Sequence, residues 1–191
     1  MTMLVSGLVI FFGVHVFSAL RSREAGKNLR VKLGYGPYMG LYSLIALAGF
    51  ILMIYGFGAA RGSRMLYSLP DWAQHVNMLL VLPAWILLVA SLLPAGKIKQ
   101  VTKHPMLLSI KLWALGHLLV NGELNSVILF GSFLAYAVFD RIMVKRRGDN
   151  GVGPDAAVST WMDVVSIVLG IGIWGAFAYY LHPILIGVPA I

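Results

Sequence analysis

Six apolar runs dominate the sequence and restrict the structures that the chain can adopt. A helix needs about 20 apolar residues to cross the hydrocarbon core of a bilayer, and five of the runs are about that long. Hydrophobic residues make up 59% of the chain and charged residues 12%, which is about half the charged fraction of a typical soluble domain. The runs are residues 2–20, 37–59, 73–93, 105–120, 124–144 and 160–181. The sequence therefore predicts an all-α, polytopic membrane protein with six transmembrane helices in a single domain, residues 1–191.

The positive charges predict how these helices are oriented. Twelve of the 15 basic residues lie in the first, third and fifth connections between the runs. Because cytoplasmic loops of membrane proteins are enriched in Lys and Arg, we expect these connections to be cytoplasmic and both termini to lie on the non-cytoplasmic side. The net charge of +8 then reflects topology. The expected partner is the lipid bilayer of a bacterial inner membrane, and no nucleic acid partner is expected.

The fourth run, residues 105–120, is shorter than the others and carries unusual polar residues. His104 precedes it, and Lys111 and His117 lie within it. Ionisable side chains at bilayer depth are rare and usually face a bundle interior, a cofactor or a proton path. We therefore expect this segment to contribute to a functional site.

The absence of cysteine restricts the metal chemistry that is available to the chain. It excludes iron–sulfur clusters and thiolate-ligated metals, so any metal must be bound by histidine. The HxxxH and HExxH spacings that are typical of zinc sites are also absent. His75 and His182 are predicted at external helix ends, where exposure explains them, so three candidate histidines remain: His15, His104 and His117.

Helical geometry divides the polar residues of the fourth run between two faces. At 100° per residue, His117 points about 220° away from His104. Lys111 shares the face of His104, while Trp113, four residues before His117, shares the other face. One metal ion therefore cannot easily take both histidines.

His15 lies about 8 Å from the cytoplasmic end of the first helix. Ser18 and Ser22 follow on the same face, where a hydroxyl can orient the imidazole or a bound ligand. A haem iron held between two helices needs one imidazole from each helix, so His15 can pair with His117 or with His104. The depths of the histidines differ in both pairings, and spacing leaves the pair open. A buried histidine whose polar needs are met by a backbone carbonyl is the plainer alternative.

Two further patterns predict local structure. Tyr35, Tyr38 and Tyr42 cluster where the second helix begins, which is typical of an interfacial aromatic belt and also makes them secondary candidates for a pocket. Thr160 and Asp163 have the spacing of a capping box and predict the start of the last helix.

Several segments resemble the NnrU family of membrane proteins. They are FFGVHVFSALR around His15, GYGPYMGLYSLIALAGFILMIYGFGAAR in the second run, and HPMLLSIKLWALGHLLVNGELNSVILFGSFLAYAVFDR from His104 onward. The resemblance covers residues 8–147, and its motifs include HP at 104–105 and W-A-x-x-H at 113–117. The family includes the plant zeta-carotene isomerase, a haem b membrane enzyme that converts a cis double bond to trans, and bacterial members linked to denitrification.

The resemblance implies a haem b cofactor with His15 and His117 as its axial ligands, and it matches His104 to the histidine of the HP motif. With haem bound, we expect His104 and Lys111 near the propionates, where cations pair well with carboxylates. Trp113 would lie beside the ligand His117.

The implied reaction depends on opening the iron. Reduction would loosen one axial histidine and expose the iron to an apolar polyene, as in a cis–trans isomerase, or to a diatomic gas such as nitric oxide. Ala114 stands where the isomerase carries a cysteine that serves as an alternative ligand, so that form of ligand exchange is not expected here.

Two other functions compete with haem binding. A basic residue followed by HP at a helix start also occurs in membrane methyltransferases of the isoprenylcysteine type, although the fifth connection lacks their acidic pair. A non-catalytic membrane assembly protein would use the same histidines only to meet polar needs inside the helical bundle.

Overall fold

The computed structural model describes residues 1–24, 26–153 and 156–190, and this part of the chain is helical without a β-strand. A π-helical turn, Phe177–Leu181, joins the last two helices. The helices are α1 (Thr2–Leu20), α2 (Leu29–Lys32), α3 (Tyr35–Ala59), α4 (Trp72–Leu92), α5 (Lys97–Thr102), α6 (Pro105–Val120), α7 (Leu124–Arg146), α8 (Thr160–Ala176) and α9 (His182–Ile186). The predicted all-α class is confirmed.

Five helical segments of the described chain are long and apolar enough to cross a membrane. They are α1, α3, α4, α7 and the continuous stretch from Thr160 to Ile186. The sixth predicted run forms α6, a shorter apolar helix of 16 residues. A multi-pass membrane protein follows, while the count of six spans and the side on which the termini lie stay predictions. The short helices α2, α5 and α9 have no counterpart among the predicted runs.

The chain divides into two compact units. The first consists of Met1–Ser68 and Asn121–Met143, and the second of Leu69–Val120 and Val144–Ile191. The expectation of a single domain stays a prediction, and each unit is described by itself.

Glycines allow α1 and α3 to pack closely in the first unit. A Cβ atom at Gly49 of α3 would lie 2.6 Å from the backbone nitrogen of Phe11 in α1. Gly56 meets the backbone of Leu4 in the same way, and Gly7 of α1 meets the backbone of Met53. Small residues at such crossings are typical of helices in membranes, where van der Waals contact stabilises helix association. The two helices therefore touch backbone to backbone at three places.

The core of the first unit forms beside this crossing. Leu4, Leu8 and Met53 are buried together, with the buried side of α1 facing α3. Partly buried side chains of all three long helices pack against them: Phe12, Phe57, Ile128, Leu129 and Phe133. Aromatic rings of α7 also reach the part of α1 that carries His15, since the Phe133 ring lies 6.0 Å from that of Phe11.

Two connections of the first unit are joined by backbone hydrogen bonds. The nitrogen of Leu66 donates to the carbonyl of Gly122 at 2.8 Å, and that of Leu124 donates to Arg64 at 2.9 Å. Next to this bridge, the side-chain oxygen of Asn125 accepts from the Ser63 hydroxyl at 3.1 Å. Asn125 is 1% exposed, so the start of α7 is fixed by polar contacts within the protein.

In the second unit, α4 packs against both α6 and α8. The hydroxyl of Ser109 in α6 donates to the carbonyl of Ala84 at 2.7 Å, next to Pro83, which interrupts the hydrogen-bond ladder of α4. Gly116 of α6 lies against Asn77, and Gly170 of α8 lies against the backbone of Ile86. Small residues and one hydroxyl thus fit around the proline-containing helix.

Asp163 has a different partner from the one that the capping-box spacing predicts. Its carboxylate accepts from the backbone nitrogens of Lys97 and Ile98, each at 2.9 Å, at the start of α5. The N-cap residue of α8 is Ser159, which makes no side-chain cap hydrogen bond. The predicted start of the last helix at Thr160 is confirmed, but the capping-box contact was predicted wrongly, because the Asp163 carboxylate, at 9% exposure, accepts from two backbone donors of α5.

We expect Gly56→Ala to destabilise the protein, because its new methyl group would overlap the backbone of Leu4. Overpacking of this kind costs about 1–3 kcal/mol, which corresponds to a fall of about 3–10 °C in the unfolding midpoint. The measurement is thermal unfolding in detergent micelles followed by circular dichroism. Gly58→Ala is the matched control, since a Cβ there meets nothing within 4 Å. Equal midpoints for the two variants would contradict the packing of α1 on α3.

We expect Asp163→Ala to be more destabilising than Thr160→Ala. Loss of the carboxylate leaves two backbone donors of α5 without acceptors, at a cost of about 2 kcal/mol, whereas Thr160 is exposed. The same thermal unfolding experiment compares the two. A larger loss in Thr160→Ala would restore the capping box.

Candidate functional site

The imidazole of His15 is oriented by its own helix. Its Nδ1 lies 2.6 Å from the carbonyl oxygen of Phe11, four residues earlier. Because a carbonyl can only accept, Nδ1 carries the proton and donates it, and Nε2 therefore holds the lone pair. The Phe11 ring lies beside the imidazole, with 4.3 Å between the ring centroids. His15 is thus a fixed imidazole whose Nε2 has the chemistry of a metal ligand.

Aromatic side chains from two other helices surround His15 in the first unit. The ring of Tyr42 in α3 lies 5.3 Å from the imidazole, and that of Tyr136 in α7 lies 5.7 Å away, both edge to face. Tyr42 was a secondary pocket candidate from sequence, while Tyr136 was missed. Its spacing from Phe133 and Phe139, three residues on either side in an apolar helix, is the signal that marks an aromatic face.

Neither predicted serine contacts the imidazole. The carbonyl of Ser18 accepts from the Arg21 guanidinium at 3.4 Å, and the Ser22 hydroxyl accepts from the Glu24 nitrogen at 3.3 Å. No hydrogen bond joins either hydroxyl to His15 within the described residues. A role for Ser18 in cofactor binding stays a prediction.

The imidazole of His117 repeats the arrangement of His15 in the second unit. Its Nδ1 lies 2.9 Å from the carbonyl oxygen of Trp113, again four residues earlier, so Nδ1 is the protonated nitrogen. The two rings lie 5.2 Å apart. The shared face of Trp113 and His117, predicted from helical spacing, is confirmed. Lys111 is half-buried in the same helix.

An unsatisfied acceptor lies against Gly116, the residue before His117. The side-chain oxygen of Asn77 in α4 is buried and has no hydrogen-bond partner. It faces Gly116, where a Cβ atom would approach it to 2.6 Å. Asn77 was missed from sequence, because a single asparagine in an apolar helix gives no sign of whether its amide is satisfied.

His104 has a different kind of partner. Its Nε2 lies 3.0 Å from the carbonyl oxygen of Asp149, in the segment that follows α7, so Nε2 is the donor. The neighbouring Lys103 holds the same segment, with its ammonium 3.1 Å from the Asn150 side chain. Gly151, at φ 77°, packs against the Lys103 carbonyl, where no side chain fits. His104 therefore ties residues 149–151 to the start of α6.

Arginine and tyrosine form a further polar pair at the end of α1. The guanidinium carbon of Arg21 lies 5.5 Å from the ring centroid of Tyr38. The Nε of Arg21 and the hydroxyl of Tyr38 are both buried without a hydrogen-bond partner. In the sequence, Arg21 belongs to the basic first connection that predicts topology and ends the segment FFGVHVFSALR, while Tyr38 is a secondary pocket candidate.

Within residues 1–24, 26–153 and 156–190, no group of three or more His, Cys, Asp or Glu side chains converges where it could hold a metal ion. A haem iron takes only two protein ligands, so this finding does not bear on haem.

Comparison with known proteins identifies one family. The family model described as NnrU protein matches residues 3–190 of the chain. No curated protein and no solved structure matches it.

We expect His104→Ala to loosen residues 149–151. Loss of its hydrogen bond to the Asp149 carbonyl removes about 1 kcal/mol from a local contact, which should speed local opening about fivefold. Limited trypsin digestion in detergent measures this as faster cleavage at the neighbouring basic residues Lys145, Arg146 and Arg147. His75→Ala, at an exposed histidine of the same unit, is the control. Unchanged cleavage in His104→Ala would contradict the tethering role.

Proposed function

The chain belongs to the NnrU family, and we propose that it is a haem b-binding membrane protein in which His15 and His117 supply the imidazole ligands of the iron. The observation that carries the proposal is common to both residues. In each, Nδ1 donates to the carbonyl four residues earlier and Nε2 keeps the lone pair. Histidines that bind metals are usually held in this way, with the second ring nitrogen donating to a carbonyl or carboxylate that fixes the tautomer.

The same observation favours His117 over His104 as the partner of His15. His104 donates from Nε2 to the Asp149 carbonyl, so coordination through that nitrogen would cost it the contact that holds residues 149–151. In His117 it is Nδ1 that donates, to the carbonyl of its own helix at Trp113, so the lone pair lies on Nε2. His15 belongs to the first compact unit and His117 to the second.

The surroundings of the two histidines support a large apolar cofactor. Phe11, Tyr42 and Tyr136 lie around His15, and Trp113 lies against His117. Sites for organic cofactors are lined mainly by apolar and aromatic side chains with a few placed polar groups. In the proposed role these rings exclude water, and the carbonyls of Phe11 and Trp113 hold the proton at each Nδ1.

When bound, haem b supplies a redox-active iron that can exchange a weak axial ligand for a small molecule. We propose nitric oxide as that molecule, in a denitrification-related role, ahead of an apolar polyene. This preference rests on Ala114, which is fully buried at 0% exposure in α6. Its side chain has no thiol that could replace a histidine as a ligand of the iron. A polyene isomerase that relies on a cysteine ligand at this position is therefore the less favoured form of the proposal.

The test is the absorption spectrum of protein purified after haem-replete expression. We expect a Soret band of low-spin, six-coordinate haem, and conversion to a five-coordinate spectrum or loss of haem in both His15→Ala and His117→Ala. Nitric oxide added to the reduced protein under anaerobic conditions should shift the band.

Two matched variants make the spectrum decisive. His75→Ala and His104→Ala should both keep the wild-type band, since neither removes a proposed ligand. A protein without Soret absorbance would refute haem binding. Loss of the low-spin band in His104→Ala, with the band retained in His117→Ala, would reassign the ligand.

A further inference from the structure

We propose that the pair formed by Arg21 and Tyr38 in the first unit binds the phosphate of an anionic phospholipid. The inference is independent of haem, and it rests on two unpaired donors at the end of a membrane-spanning helix. The side chain of Tyr38 is 7% exposed, and its hydroxyl has no hydrogen-bond partner. The Nε–H of Arg21, whose guanidinium lies over that ring, is buried and unpaired as well.

The chemistry of the two atoms selects an oxyanion. A buried polar group without a partner costs about 1–3 kcal/mol, and more when it is charged, so a bound ligand that satisfies both donors is strongly favoured. Arg21 forms no ion pair with any described residue; its one side-chain hydrogen bond, to the Ser18 carbonyl, is long at 3.4 Å. The free edge of a guanidinium presents parallel N–H donors whose spacing matches phosphate or carboxylate oxygens. Tyrosine can add a third hydrogen bond.

Tyr38 lies in the first turn of α3, where the exposed N–H groups of a helix favour an anion. Asp140 of α7 forms no ion pair with Arg21 among the described residues. His15 lies one turn and a half before Arg21 and contacts Tyr42. The guanidinium is therefore a cation without a carboxylate from the described chain.

The position of the pair selects a lipid as the source of the oxyanion. Arg21 is the C-cap residue that follows α1, a helix long and apolar enough to cross a membrane, so it lies where the apolar span gives way to a polar connection. Phe17, four residues before Arg21, and Leu41, three residues after Tyr38, are exposed. A phosphate bound by the pair would leave acyl chains to lie along these apolar side chains.

The test uses the full-length protein in detergent, titrated with phosphatidylglycerol and analysed by native mass spectrometry. We expect the affinity to fall about tenfold in Arg21→Gln and about fivefold in Tyr38→Phe, the losses that follow from removing a charged and a neutral hydrogen-bond donor. Lys32→Gln removes one charge from the same basic connection at an exposed side chain, and it should stay within about twofold of wild type. Equal affinities for all four proteins would overturn the proposal.

Two further measurements identify the molecule that supplies the phosphate and separate the effects of a variant on binding from its effects on folding. Diacylglycerol, which lacks the phosphate, should not bind at the pair, and inorganic phosphate alone should give no comparable protection against thermal unfolding. Full protection by inorganic phosphate would replace the lipid by the free ion and overturn the lipid assignment. Without lipid, Tyr38→Phe should be at least as heat-stable as wild type, because it removes an unsatisfied buried hydroxyl. A destabilised lipid-free Tyr38→Phe would instead show that the hydroxyl is already paired in the fold.

Discussion

Polar groups inside a bundle of apolar helices need hydrogen-bond partners that the acyl chains of lipids cannot supply, and this constraint underlies the structure. An unsatisfied group at membrane depth costs several kcal/mol. His15 and His117 meet the constraint locally, each through the carbonyl one turn earlier. Ser109 meets it across helices, through the carbonyl of Ala84 beside the proline kink of α4. Because each of these contacts fixes a tautomer or a packing distance, the satisfaction of polar groups also determines which atoms remain able to bind a ligand.

Structural features that depend only on residues close together in the sequence were predictable from it. Apolar length predicted the five long helical segments and the short α6, since hydrophobicity over about 20 residues needs no knowledge of tertiary contacts. Helical spacing also predicted the shared face of Trp113 and His117. It failed for Asp163, whose partners lie more than 60 residues away, at Lys97 and Ile98. A sequence pattern shows that a carboxylate can cap a helix, but tertiary packing decides which helix it caps.

The contacts between helices were beyond sequence reasoning for a related reason. Gly56 and Gly58 lie two residues apart in the same helix, yet only Gly56 touches the backbone of α1. Two residues that are two positions apart in a helix point to different sides of it. A helix that is apolar on all sides gives no periodic signal of which side faces its neighbour. The sequence could not predict the Arg21 and Tyr38 pair for the same reason. A donor is unpaired when no acceptor lies within reach, and only the folded structure shows this.

The difference between His104 and the two proposed ligands follows from the chain around it. A histidine inside a continuous helix has a carbonyl four residues earlier within reach of Nδ1, and His15 and His117 both use it. His104 precedes Pro105, the first residue of α6, and Lys103 before it has a positive φ of 62°, so the helix of α5 does not continue through it. Without a carbonyl of its own helix, His104 donates through Nε2 to Asp149. The break in the helix thus determines which ring nitrogen is protonated. It gives the HP histidine a role in holding the chain, while the two histidines within helices carry their lone pair on Nε2.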